Sequence, residues 1–135
     1  MRRRTKSLTA LTGAALGAVL FAAGPAVAAP YWQPLPAGLA LHNCTATNTL
    51  PGTNVIYQVC VVIGRSSAQS VLIVKNQQST NVRIRGGSGL NYTGSYASCY
   101  ESTLSPGYRT VCFANTVSIP AGANPTVWQY DLTVG

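Results

Sequence analysis

The chain has 135 residues, 47% hydrophobic and only 8% charged, with a formal net charge of +7. Arg2, Arg3, Arg4 and Lys6 account for most of that excess; without them Arg65, Lys75, Arg83, Arg85 and Arg109 face Glu101 and Asp131, a net of +3. So mild a balance is not the footprint of a nucleic-acid binder, and one His with two carboxylates leaves little room for acid–base or metal chemistry.

Residues 1–28 read as an export signal: a basic start, an apolar stretch from Leu8 to Ala23, and Ala26-Val27-Ala28 as the cleavage signature. Cleavage is placed after Ala28, because a cut after Ala29 would set Pro30 just past the scissile bond. No cysteine stands directly after the cut, as a lipoprotein would require, and no later segment reads as a membrane anchor. The expectation is a secreted, extracellular protein of bacterial type, with no cofactor, no nucleic-acid partner and no stable membrane anchor. Leu50-Pro51-Gly52-Thr53 resembles a wall-sorting signal but reads better as a turn.

Ala29 to Gly38 is a Pro-rich lead-in, extended and poorly paired, with Tyr31 and Trp32 expected to pack onto a sheet edge. Leu39 to Asn48 reads as a first strand. Val55 to Ile63 is apolar on both faces except at Gln58, so it should be central and covered on both sides. Gly64 to Ser67 turns, Ser70 to Lys75 is a buried strand, and Asn76 to Thr80 is polar turn chemistry. Asn81 to Arg85 alternates, with Val82 and Ile84 inward and Arg83 and Arg85 outward, where they would discourage edge pairing.

Gly86 to Gly89 reads as a flexible turn. From Leu90 the even positions place Tyr92, Tyr96 and Tyr100 on one face of an extended chain. Arg109 to Ala114 returns, Thr116 to Ile119 is short, Ala121 to Pro125 is a loop, and Thr126 to Val134 is the last strand. In that strand Trp128, Tyr130, Leu132 and Val134 share one face by alternation.

Cys44 and Cys60 are centred on Gly52; Cys99 and Cys112 are centred between Ser105 and Pro106. Each pair flanks a Pro-Gly step suited to a type II turn, so each is expected to close a β-hairpin. Four cysteines admit three connectivities, and the spacing favours the two local ones. Zinc is the lesser reading, because no C-x2-C pair is present and the one histidine is His42.

Strands separated by Gly, Pro and Asn, with no helical periodicity after residue 28, predict an all-β fold. The expected architecture is one antiparallel Ig-like β-sandwich of about seven to nine strands over residues 39–135, with a small closed barrel as the alternative. Val74-Lys75-Asn76, Leu104-Ser105-Pro106-Gly107 and Val117-Ser118-Ile119-Pro120-Ala121-Gly122-Ala123-Asn124 resemble the C-terminal halves of extracellular bacterial Ig-like modules of the cell-adhesion-related type, over residues 70–134. The resemblance implies a sandwich with a binding or spacer role and assigns no functional residue.

Catalysis has little support. A triad would need His42 with Asp131, and a glycosidase pair would need Glu101 with Asp131, yet no local motif accompanies either. Glu101 is instead expected to pair with Arg109 across the second hairpin. Three non-enzymatic readings follow. The first is a binding or structural module for a protein or the cell surface. The second is a proteinase inhibitor offering the loop 101–111, with Leu104, Pro106, Tyr108 and Arg109 at its tip. The third is a carbohydrate or small-ligand binder using the platform Tyr92, Tyr96 and Tyr100, or Trp128 with Tyr130.

Overall fold

The computed structural model describes residues 30–135; the export-signal reading of residues 1–28 lies outside the described residues. Among the described residues eight strands are formed: β1 (Asn48–Thr49), β2 (Val55–Ile63), β3 (Ser67–Asn76), β4 (Val82–Leu90), β5 (Ala97–Leu104), β6 (Arg109–Phe113), β7 (Val117–Ser118) and β8 (Val127–Val134). One sheet has the order β1-β2-β3-β6, with β7 also paired to β3; the other has the order β5-β4-β8. All pairings are antiparallel. The two sheets are not closed into a barrel, and the described residues contain no helix.

Strand alternation builds the core. Val55, Tyr57, Val59, Leu72 and Val74 of the first sheet meet Val82, Ile84 and Leu104 of the second. A fully buried polar contact crosses this layer: the Ser70 and Ser88 hydroxyls lie 2.8 Å apart.

Both disulfides are local, Cys44–Cys60 and Cys99–Cys112. They do different things. Cys44–Cys60 spans a hairpin, closed where Thr53 N–H donates to the Leu50 carbonyl and Gly52 takes φ 78°. Cys99–Cys112 corrects the sequence reading. Its strands do not pair with each other: β5 pairs with β4 and β6 with β3, so the bond joins the two sheets. The type II turn is present, with Tyr108 N–H donating to the Ser105 carbonyl at 3.1 Å and Gly107 at φ 80°. Unprimed turns splay the strands that leave them. Here one strand enters each layer. Asn76 at the end of β3 holds the turn, because its carbonyl accepts from Gly107 N–H and its N–H donates to the Tyr108 carbonyl.

Other expectations are also corrected. Gly86 to Gly89 is no turn but the interior of β4, the middle strand of its sheet. A Cβ at Gly86 would collide with the Asp131 carbonyl, and one at Gly87 with the Ala97 carbonyl. Close strand approach, not chain reversal, explains these glycines. The first strand shrinks to β1 plus a bridge from His42 to Val61, because Asn43 takes φ 48° and breaks the extension. Glu101 pairs with Arg83, not Arg109, at 2.8 Å. The separation of β5 from β6 removes the expected partner, while the β4–β5 ladder supplies a cation two residues away from direct register.

The lead-in is a strap. Tyr100 N–H donates to the Pro30 carbonyl, and the Trp32 indole N–H donates to the Tyr100 carbonyl at 2.8 Å. Gln33 then exchanges both backbone hydrogen bonds with Val111 on β6. Residues 30–33 therefore bridge the edges of both sheets. Beyond them Leu35 and Leu41 cover Cys60, Val71, Ile73 and Val111 on the outer face of the first sheet. That strap gives β2 its second apolar surface. Trp32 is half-buried against the main core, whereas Tyr31 is exposed and rests on the Tyr100 ring, 5.2 Å between centroids.

Candidate functional site

The strap leaves part of that outer face open. The ladder registers set rows across β2, β3 and β6: Ile56, Lys75 and Arg109 in one, Gln58, Ile73 and Val111 in the next. Ile56, Ile73, Leu35 and Leu41 line an open trough of about 310 Å³, with Lys75 and Arg109 on its wall. This size is at the low end for small-ligand sites.

The electrostatics are one-sided. Lys75 and Arg109 are direct cross-strand partners. Like charges so placed repel. The chain has only two carboxylate side chains, Glu101 and Asp131, and both lie on the other sheet. Glu101 is held by Arg83, whose hydrogen bond and charge lower its pKa. The trough therefore combines an apolar floor with paired cations that no side-chain carboxylate neutralises.

The sequence-selected residues fall elsewhere, apart from Arg109. Of the loop residues, Leu104 is buried in the core, while Pro106, Tyr108 and Arg109 are exposed at the Asn76-held turn. The tyrosine platform is not assembled. Tyr92 lies in a turn where Ser95 N–H donates to its carbonyl and Gly94 takes φ 82°. Tyr96 precedes β5, with burial the main cause of a raised pKa, and its hydroxyl leans toward Asp131 at 3.5 Å. Tyr100 is taken up by Pro30, Tyr31 and Trp32.

Trp128 also leaves its expected face. Gly89 is opposite Gln129 and Leu90 is opposite Val127, so Trp128 is the extra residue of a bulge. It is 65% exposed and lines a second hollow, about 250 Å³, with Tyr92, Tyr96 and Gln129. Tyr130 points the other way, its hydroxyl 2.7 Å from that of Tyr57. That hydrogen bond, with burial, pushes the Tyr57 phenol up to about 12.

His42 is exposed at the strap's end and Asp131 sits on β8; the described residues hold no group of three potential metal-binding side chains. No helix among them is long and apolar enough to cross a membrane. Sequence reasoning missed the trough. Its only local signals were Lys75 and Arg109, and their alignment depends on the β3–β6 register. Comparisons with family models, with curated proteins and with solved structures find no match.

Proposed function

We propose that the protein is a small secreted binding module that acts by contact, without turnover, through the outer face of its first sheet. The observation that carries this reading is the Lys75–Arg109 pair on an apolar trough with no facing carboxylate. Such a site suits a ligand with an apolar body and one anionic end: the floor removes apolar surface from water, and the cations take the charge. Two disulfides suit an oxidising compartment and support secretion. We read the sandwich as Ig-like on its two antiparallel sheets and inter-sheet disulfide, although the orders β1-β2-β3-β6 and β5-β4-β8 depart from the usual four-plus-three arrangement.

Calorimetric titration with medium-chain carboxylates is the test. Saturable binding, lost in Lys75→Gln/Arg109→Gln and kept in Arg65→Gln, is the expected result. Equal behaviour of all three proteins would remove the trough as the site.

A second reading rests on Trp128, Tyr92, Tyr96 and Gln129 around the second hollow. Exposed aromatic faces beside an amide suit sugar rings. Retention on insoluble cell-wall polysaccharide, abolished by Trp128→Ala, would favour it over the trough.

A further inference from the structure

The two sheets differ in how their edges are closed. β1 is two residues long. β6 is capped by Gln33. β5 is capped at Tyr100 by Pro30 and Trp32. β8 has eight residues and pairs only with β4 among the described residues.

The phase of β8 follows from its ladder. Arg83 and Gly135 exchange both backbone hydrogen bonds. Antiparallel alternation then makes Arg85–Thr133 and Gly87–Asp131 the bonded pairs. The N–H and C=O groups of Tyr130, Leu132 and Val134 point away from β4, with no backbone partner among the described residues. Natural edges are blunted by lysine, proline or bulges. After the Trp128 bulge, β8 has none of these and one charge, Asp131. Arg83 and Arg85 guard no edge, because β4 is the middle strand.

We propose that β8 pairs with β8 of a second copy, antiparallel and about a two-fold axis through Leu132. In this register Tyr130 faces Val134 of the other copy, and Asp131 faces its Thr133. Arg85 lies directly beside Thr133 on the outer face. Asp131 of one copy therefore joins the row of Arg85 of the other, two strands and about 10 Å apart between Cα atoms, within reach of an extended arginine. Arg85 makes no ion pair within its own chain among the described residues. An axis through Asp131 would oppose two carboxylates. One through Tyr130 would set Asp131 beside Gln129, in the row of Gly89. One through Thr133 would set Asp131 beside Gly135, in the row of Arg83, a cation already paired with Glu101. The charge pattern thus favours the Leu132 axis, a self-complementary edge as a two-fold contact requires.

Sedimentation of the secreted protein from about 1 µM to about 1 mM, a range spanning moderate to weak affinities, tests the proposal. A concentration-dependent dimer is expected. Amide exchange at Tyr130, Leu132 and Val134 should slow as the dimer forms, with Asp131 and Thr133 unchanged. Thr133→Asp, which opposes Asp131 of the other copy, should weaken the dimer roughly tenfold over its two symmetric pairs, and Thr133→Lys should tighten it. A monomer at every concentration overturns the proposal, as does a dimer in which those three amides stay fast or the two variants shift affinity in the same direction.

Discussion

Cys99 lies on β5 and Cys112 on β6, and the bond between them ties the inner faces of two different sheets. Both are buried, whereas Cys44 of the other bridge is exposed. Thiol–disulfide exchange requires a thiolate to reach sulfur. Limited reduction should therefore open Cys44–Cys60 first, read by alkylation and peptide mass mapping. Reduction of both bonds at one rate would contradict the buried position of Cys99 and Cys112. Their joint replacement by alanine should cost about 3 kcal/mol through loop closure alone, measured by urea unfolding.

Lys75 and Arg109 repel across the β3–β6 ladder. Lys75→Gln should leave the ligand-free protein unchanged or stabilise it by up to about 1 kcal/mol, while weakening anion binding. Thermal unfolding with and without carboxylate separates the two effects. A large loss of stability without ligand would mean that the lysine stem holds the face together.

Tyr57 and Tyr130 should show themselves at alkaline pH. The Tyr57 phenol is raised from 10.0 to about 12, first by its hydrogen bond to Tyr130 and then by burial. A raised folded-state pKa means that the native state keeps a proton which the unfolded chain has lost. This contribution to stability is complete below pH 10 and fades as pH rises toward 12. Absorbance titration of the native protein should show the Tyr57 phenol ionising late. Tyr130→Phe should bring it back toward the ordinary value and flatten stability over that interval.

Gly86→Ala and Gly87→Ala should each fail to give soluble folded protein, because the added methyl meets the neighbouring strand's backbone. Gly107→Ala adds its methyl in open space but strains a positive φ. It should cost about 1 kcal/mol and leave the fold intact. Yield and circular dichroism of the three variants check the order.

Local chemistry was legible where its cause is local. The Pro-Gly turns at Gly52 and Gly107 read directly from the residues that favour positive φ. Val55 to Ile63 announced two covered faces through its composition, but not that Leu35 and Leu41 would cover one of them. The sequence could not show that the strands beside Gly107 enter different sheets, because that depends on what Leu104 and Arg109 pair with elsewhere. Gly86 and Gly87 look like flexible chain until Asp131 and Ala97 stand beside them. The trough escaped for the same reason, since registry alone aligns Lys75 with Arg109.

The Ser70–Ser88 hydroxyl contact has a consequence for how the two layers are indexed. Greasy surfaces can slide over one another with little change in contact area. A slip here would strand two dry hydroxyls, at about 1–3 kcal/mol each. The pair works like a dowel between boards. Paired Ser70→Ala and Ser88→Ala replacements would keep the adhesion and loosen the alignment around β3 and β4, with Cys99–Cys112 still tying the layers, leaving a sandwich no weaker in denaturant but less singular in its side-chain spectrum.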